Sequence, residues 1–323
     1  MTDSPTIAVV ICAFTEARWD RLLAAVGSVA AQSRPASETI LVIDHNDTLL
    51  ARAREAVPGV RVLANDAPDP GLSGGRNTGT LAASAEVIAF LDDDAVAAPD
   101  WLERLAAPYA EAEVVGAGGR IDPVWATGRP AWWPSEFDWV VGCTYRGMPE
   151  AASDVRNVIG ANMSFRRSAI LAGGGFDVAT GRGRGRPLGG EETELAIRLA
   201  SIIDGARIRY EPDAAVAHAV PADRASFRYF VRRCYAEGLS KARVARLAGR
   251  GQGLASERRY ATRVLPAGVL RELGSAARHL DPAAIGRAAA IAIGLLVTTA
   301  GYALGGRSRD AAIDRTMTGA DAA

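Results

Sequence analysis

Residues 1–117 alternate between short apolar runs rich in β-branched side chains and segments with helical spacing. The apolar runs read TIAVVICAF, ETILVIDHND, VRVLAN and EVIAFLDDD. Strands that alternate with helices form right-handed βαβ units, which assemble into an open, mostly parallel sheet flanked by helices. The sequence therefore predicts an α/β fold in which ligands bind beyond the carboxyl ends of the strands.

Three aspartates, Asp92, Asp93 and Asp94, end the last of these runs. Carboxylates this close raise one another's pKa and destabilise a fold unless a cation offsets them. Oxygen ligands of this kind suit Mg²⁺ or Mn²⁺, which share their coordination with substrate phosphates. We expect a divalent ion here that bridges carboxylate and diphosphate. The alternative is a solvated acidic loop.

The formal net charge is zero, so the global charge indicates no particular partner. Residues 224–263 are nevertheless locally basic, with only Glu237 and Glu257 opposing a series of arginines and Lys241. This stretch is either a solvated face or a surface for an anionic membrane leaflet. No nucleic-acid reader motif accompanies it, so no nucleic-acid partner is expected. Three widely spaced cysteines fit a reduced, cytosolic environment.

The C-terminal segment 288–306 contains no charged residue and is bracketed by Arg287 and Arg307. Its length just reaches the roughly 18–20 residues that span a bilayer. It is either a membrane-embedded or interfacial helix or a packed C-terminal helix. With the basic stretch before it, it predicts a protein at the cytoplasmic face of the membrane, bound peripherally or anchored by 288–306.

Six motifs, taken in order, resemble those of the nucleotide-sugar glycosyltransferases of family two, which have the Rossmann-like GT-A fold and invert the anomeric centre. The motifs are TIAVVICAFTE, LVIDHND, GLSGGRNTG, VIAFLDDDA, GANMSFRR and GGEETELAIRL. The resemblance covers roughly Thr6 to His218 and extends to bacterial and archaeal members that act on lipid-linked or cell-envelope glycans.

The resemblance implies roles for the donor-binding residues. The base and ribose would meet Phe14, Thr15 and Glu16, and Asp44 would accept from the base N–H. The turn after the third strand would bring Arg76 and Asn77 to the nucleotide. Donor and metal contacts would be shared by Asp92, Asp93, Asp94 and His218, with Asp92, Asp94 and His218 holding Mg²⁺ or Mn²⁺. The alternatives are a core position for Phe14, a helix cap for Asp44 and a structural role for His218.

The resemblance also places the catalytic base at Glu192, where the family has an aspartate. Glu191 takes this role if the register differs by one residue. Acidic residues here would also stabilise a helix N-terminus without any catalysis.

The acceptor residues are expected in the second half of the domain. Trp132, Trp133 and Trp139 offer flat faces for sugar rings, although they would serve equally as core residues. Asn162 lies on a segment that lines the donor–acceptor junction in the family. The segment GRGRGRPLGG has the composition of a mobile lid or a plain linker.

These patterns divide the chain into a GT-A catalytic domain (1–222, with halves about 1–117 and 118–222), a basic amphipathic helical segment (223–265) and a C-terminal helical region (266–323). The expected activity is metal-dependent, inverting transfer of a sugar, with a UDP-linked donor and a hydroxyl acceptor on a lipid-linked or envelope glycan. Alternatives are a polyprenyl-phosphate glycosyl synthase and a non-catalytic nucleotide-sugar-binding membrane protein.

Overall fold

The computed structural model describes residues 4–179, 189–247 and 255–306. Most of the segment expected as a lid or linker, and residues 307–323, lie outside these ranges. The strands are β1 (Ile7–Ala13), β2 (Glu38–Ile43), β3 (Arg61–Ala64), β4 (Val87–Asp92), β5 (Ala95–Ala97), β6 (Val114–Trp125), β7 (Ser153–Val155), β8 (Asn162–Arg166) and β9 (Arg207–Val220).

The α-helices are α1 (Trp19–Ala30), α2 (Asp47–Ala56), α3 (Leu72–Ala82), α4 (Trp101–Ala106), α5 (Arg167–Ala172), α6 (Glu191–Ile202), α7 (Phe227–Leu247), α8 (Ala255–Arg259), α9 (Leu265–His279) and α10 (Pro282–Gly305). Short 3₁₀ helices cover Glu16–Arg18, Ala107–Ala110, Ser135–Val141 and Ala222–Ala225, and a π-helical turn covers Tyr260–Val264.

The strands form one mixed sheet in the order β3-β2-β1-β4-β8-β6-β9-β5, and β7 pairs with β9. The first four strands in this order are mutually parallel, as the alternating pattern predicts. Strand β8 runs antiparallel to both β4 and β6, whereas β6 and β9 are parallel. An α/β sheet with flanking helices is thus confirmed, with its parallel part in the first half of the chain.

The helix α3 lies unusually close to the sheet because glycines face β1. A Cβ on Gly79 would lie 2.5 Å from Val10 Cγ1, and one on Gly75 would lie 3.2 Å from Cys12 Sγ. No larger side chain fits there without displacing the helix. This close packing fixes Arg76, which directly follows Gly75, at the carboxyl edge of β1 and β4.

The long strand β9 continues to Val220, two residues beyond His218. His218 therefore lies inside the strand, paired in register with Ala95 of β5. Since β5 follows the three aspartates directly, this pairing brings His218 to the acidic cluster.

The C-terminal helices pack onto the catalytic sheet and do not stand apart from it. Buried Phe230, Leu265 and Ile291 belong to the same apolar cluster as strand β1. Helix α10 crosses α7 backbone to backbone, and a Cβ on Gly301 would lie 2.3 Å from the Tyr235 carbonyl oxygen. The proposed domain boundaries remain predictions.

Candidate active site

A cavity of about 800 Å³ opens between the carboxyl edge of the sheet and the C-terminal helices. Two groups of polar residues line it. The first includes Arg76, Asp92, Glu191, Glu192, His218 and Arg224, and the second includes Trp139, Tyr145, Arg156, Lys241, Glu257 and Tyr260. The cavity thus joins the first group, which contains several of the predicted donor residues, to a second group that the sequence motifs did not indicate.

Strand ends bring Asp92, Asp94 and His218 together. One ligand atom from each lies within 4.8 Å of the others. Asp94 and His218 are buried, and the Asp92 side chain is 27% exposed on the cavity side. The His218 Nε2 lies 3.1 Å from Asp94 Oδ1. Two carboxylates and an imidazole suit Mn²⁺ or Mg²⁺, so these residues fit the expected ion.

The sequence motifs assigned no role to Arg18, which forms ion pairs with the acidic cluster. Its Nη1 lies 2.8 Å from Asp93 Oδ1 and 3.1 Å from Asp94 Oδ2. Burial raises the pKa of Asp93 to about 6, against the lowering effect of the Arg18 charge. Although burial acts in the same direction on Asp94, the hydrogen bond and charge of His218 hold the pKa of Asp94 well below its usual range.

Arg76 is 2% exposed and occupies the centre of the first group. Its Nη1 lies 2.8 Å from Glu191 Oε1, and its Nη2 donates to the Gly160 carbonyl at 3.1 Å. Asp92 Oδ1 is 3.7 Å from Nη2. Arg76 therefore connects the acidic cluster to the start of α6.

The two adjacent glutamates have different surroundings. Glu191 is buried and paired with Arg76, and its Oε2 has no hydrogen-bond partner among the described residues. Glu192 is half-buried, lines the cavity and pairs with no cation in the described part of the chain. Burial and then the neighbouring charge of Glu191 raise the pKa of Glu192 to about 7, while Arg76 opposes the shift. An unpaired carboxyl that titrates near neutrality has the properties of a general base.

The remaining predicted donor residues lie at the same edge of the sheet but outside the cavity wall. Phe14 is 54% exposed, so it is not a core aromatic. Thr15 caps the first 3₁₀ helix, and exposed Glu16 lies 3.9 Å from Arg52. These side chains form an open rim beside the acidic cluster.

Asp44 directly follows β2 and accepts a hydrogen bond from Asn65 Nδ2 at 2.6 Å. The Nδ1 atom of His45 also lies 2.8 Å from Asp44 Oδ1. The N-cap of α2 is Asn46, so Asp44 is not the helix cap that the alternative interpretation required.

Two predicted site residues are structural. Asn77 donates to the Phe176 carbonyl at 2.9 Å and accepts from the Phe176 amide at 2.7 Å, so its amide is directed away from the cavity. Asn162 is fully buried, accepts from the Trp101 indole and donates to the carbonyls of Arg120 and Ala214. These contacts use the donors and acceptor of Asn162, and it does not line the cavity.

The three tryptophans predicted to bind the acceptor occupy different surroundings. Trp133 is 1% exposed, and its ring packs against Phe230 in the core. Trp132 packs edge-on against Phe227 and Phe230, outside the cavity wall. Only Trp139 of the three lines the cavity. The other two hold α7 on the sheet domain.

Apart from Trp139, the second group of cavity residues was not identified from the sequence. Tyr145 and Tyr260 meet ring to edge at 5.2 Å, and the Trp139 indole donates to Tyr260 Oη at 3.1 Å. Arg156 binds both oxygens of Glu257 at 2.7 Å. No spacing rule links these residues, because four separate segments supply them.

Lys241 faces this second group and not an outer surface. Its Nζ lies 3.2 Å from both Glu237 and Glu257, and Arg233 also lines the cavity. The stretch 224–263 is therefore not one continuous membrane-facing surface, which corrects that part of the sequence interpretation.

Comparisons with known proteins identify relatives of this chain. The family model described as glycosyl transferase family 2 matches residues 8–173. A glucosyl-dolichyl phosphate glucuronosyltransferase of Haloferax volcanii is 34% identical over 239 residues, covering 73% of this chain and 76% of the relative. The succinoglycan biosynthesis protein ExoM of Rhizobium meliloti is 29% identical over 236 residues, covering 70% of this chain and 71% of the relative.

Two solved structures show the same fold at low sequence identity. The mannosyltransferase PcManGT of Pyrobaculum calidifontis, solved with GDP-Man and Mn²⁺, has a TM-score of 0.56 at 18% identity, covering 94% of this chain and 86% of that one. GalNAc-T7, solved with UDP, GalNAc and Mn²⁺, has a TM-score of 0.52 at 20% identity. The match covers 67% of this chain and 43% of GalNAc-T7.

The motif order, the mixed sheet and these relatives confirm the expected GT-A fold. The chain belongs to glycosyl transferase family 2 and is a glycosyltransferase.

Proposed function

We propose that this glycosyltransferase is metal-dependent and inverting, and that it transfers a sugar from a UDP-linked donor to a hydroxyl of a lipid-linked or cell-envelope glycan. One observation carries the proposal: a single cavity is lined both by Asp92 and His218, two members of a carboxylate–imidazole triad suited to a divalent ion, and by Glu192, a carboxyl without a cationic partner among the described residues. A cation site and a free base in one cavity are the two requirements of direct sugar transfer.

The donor lies at the acidic end in this proposal. Asp92, Asp94 and His218 would hold the divalent ion, which would supply positive charge to neutralise the diphosphate. Arg76 and Arg224 add fixed positive charge at the same end, where the departing nucleoside diphosphate becomes more negative. The exposed Phe14 ring stacks on the base, and Asp44 accepts from its N–H. Both solved neighbours contain Mn²⁺ and a nucleotide, which supports this arrangement.

Glu192 acts as the base. Its ionised carboxylate takes the proton of the acceptor hydroxyl, and that oxygen forms a bond to C1 of the sugar as the bond from C1 to the diphosphate oxygen breaks. The attack comes from the face opposite the leaving group, so the configuration at C1 inverts. Glu191 remains paired with Arg76 and holds the guanidinium in place.

The acceptor sugar occupies the second group of cavity residues. Trp139, Tyr145 and Tyr260 supply aromatic faces, while Arg156 and Lys241 supply donors for hydroxyl groups. This assignment replaces the role expected for Trp132 and Trp133.

A hydroxyl acceptor is favoured over a bare polyprenyl phosphate. A phosphate anion needs no base, whereas Glu192 is held in a form that can accept a proton near neutral pH. The Haloferax relative is named for a lipid that already carries a glucosyl group. We infer that the acceptor is a membrane lipid with at least one sugar attached, met at the cytoplasmic face.

The test is transfer and donor hydrolysis by purified protein with a panel of UDP-sugars and Mn²⁺. Asp94→Asn removes a metal ligand and is expected to abolish both reactions. Asp100→Asn is the matched control, because Asp100 pairs with Arg104 on the surface. Activity that survives in Asp94→Asn, or that is unaffected by removing divalent ions, contradicts the proposal.

A further inference from the structure

The exposed face of α10 carries no charged side chain. Nine exposed positions fall within an arc of about 140° on the helix, at 100° per residue. They are Ile285, Ala289, Ala292, Ile293, Leu296, Thr299, Ala300, Ala303 and Leu304. From Ile285 to Leu304 this row rises about 29 Å at 1.5 Å per residue. Leu296 is 68% exposed and Ile285 is 58% exposed.

Helix α9 and the turn after it extend the apolar surface. Leu270 is 70% exposed, Leu273 is 47% exposed and Leu280 is 87% exposed. We call these three residues and the exposed row of α10 the α9–α10 apolar face. A surface helix of a soluble protein normally presents charged residues to water, and a contiguous apolar surface of this length marks an interaction site.

The charges around this face are positive. Exposed arginines lie before α9 and at its C-terminal end, namely Arg258, Arg263 and Arg278. The nearby acidic residues Glu272 and Asp281 are paired with Arg287 at 2.6 and 2.8 Å. An apolar strip bordered by cations is complementary to an anionic lipid surface, where the cations meet headgroups and the apolar side chains meet acyl chains.

Helix α10 is long and apolar enough to cross a bilayer. The contacts on its opposite face argue against a transmembrane arrangement. A Cβ on Gly238 of α7 would lie 2.2 Å from the Thr298 carbonyl oxygen, so the two helices pack in direct contact. Leu295 and Thr298 line the catalytic cavity together with Glu237 and Lys241 of α7. A spanning α10 would carry these charges into the hydrocarbon region.

We propose that the α9–α10 apolar face docks the enzyme on an anionic membrane, with α10 lying in the plane of the interface. Because the inner face of α10 walls the cavity, a lipid-linked acceptor reaches the base along this helix while its acyl chains stay in the bilayer. The path of the acceptor along α10 rests on the proposed function, whereas membrane docking itself does not.

Flotation with vesicles of phosphatidylcholine and phosphatidylglycerol tests the proposal on the full chain. The double variant Ile293→Glu/Leu296→Glu places two charges on the docking face. We expect its vesicle-bound fraction to fall about tenfold or more relative to wild type, since each leucine or isoleucine loses its transfer to the apolar phase. The matched control is Leu81→Glu, which makes the same change at a 62% exposed leucine on α3. Its flotation is expected to equal that of wild type.

Further measurements separate docking from folding and from catalysis. Circular dichroism is expected to show the same melting curve for all three proteins, and hydrolysis of the soluble donor is expected to be unchanged. If hydrolysis is absent while flotation behaves as expected, the proposed function fails and the docking surface stands.

Three outcomes would overturn the docking proposal. One is a wild-type protein that does not float with anionic vesicles. Another is a wild-type protein that resists alkaline extraction, which would indicate a spanning helix. The third is a wild-type dimer in solution that Ile293→Glu/Leu296→Glu dissociates without any change in flotation, because a second copy of the chain would then cover this face.

Discussion

At the residue scale, the two neighbouring glutamates on α6 differ in their chemistry because their surroundings differ. Glu191 faces Arg76 at 2.8 Å and stays fixed. Glu192 faces the cavity, where burial and the charge of Glu191 disfavour ionisation. The resemblance left open which glutamate is the base, and this difference in surroundings favours Glu192.

Replacement of Glu192 by Gln is expected to lower kcat by about 10²–10⁴-fold, the usual contribution of a general base. In wild type, kcat/KM should rise with pH through about 7, because only the ionised carboxylate accepts a proton. The variant should lose this acidic limb. Initial rates from pH 5 to 9 measure both effects, and a variant that keeps the limb would assign it to another group.

The contribution of Glu192 to the free energy of unfolding should fall with pH, whereas kcat/KM should rise with pH. The folded protein binds the Glu192 proton more tightly than the unfolded chain, so this group's contribution to stability falls as pH rises from 4.5 to about 7. Glu192→Gln removes that loss and should raise the free energy of unfolding relative to wild type above pH 7. Urea denaturation at pH 5 and 8 measures this difference.

The residues predictable from sequence are those fixed by a strand end. Asp92 ends β4, Asp94 follows it by two residues, and the pairing of β9 with β5 brings His218 beside them. The role of Asn162 was not predictable, because its partners Trp101, Arg120 and Ala214 are distant in sequence. The burial of Trp133 likewise depends on an aromatic partner from α7.

At the element scale, the first half of the fold follows from local pattern and the second half does not. Parallel strands β1 to β4 each alternate with a helix, so hydrophobic periodicity identifies them. Strand β8 inserts between β4 and β6 through long-range antiparallel pairing. The uncharged run near the C-terminus predicts the helix α10. It does not predict whether this helix packs on the protein, spans a membrane or lies on one, because only the contacts of α10 with α7 distinguish these three arrangements.

Replacement of Gly301 by Ala is expected to destabilise the protein by about 1–3 kcal/mol, the usual effect of overpacking. The new Cβ would lie 2.3 Å from the Tyr235 carbonyl oxygen and force α7 and α10 apart. Because α7 carries Glu237 and Lys241 on the cavity wall, transfer activity should fall as well. Urea denaturation and initial rates measure the two effects.

Gly274 of α9 supplies the control for this prediction. A Cβ there meets nothing within 4 Å, so Gly274→Ala should be neutral or stabilising by about 0.5–1 kcal/mol. Equal effects at the two positions would show that the helix crossing is not tightly packed.

At the scale of the whole molecule, the cavity joins parts of the chain that are far apart in sequence. The sheet supplies Asp92 and His218, α6 supplies Glu192, and α7 with α10 forms the opposite wall. A ligand bound in this cavity would therefore contact both the sheet and the C-terminal helices. A ligand at this junction should stabilise the molecule as a unit.

Mn²⁺ and UDP are expected to stabilise the protein cooperatively, because the triad and the diphosphate would share one ion. A ligand at a hundred times its Kd adds about 2.7 kcal/mol to the free energy of unfolding, which corresponds to several degrees in Tm, at about 2–4 °C per kcal/mol. The Tm shift with both ligands should exceed the sum of the two separate shifts, and Asp94→Asn should remove the excess. Purely additive shifts in wild type would mean that the ion and the nucleotide bind independently. The acidic cluster would then not bind an ion that is shared with the diphosphate.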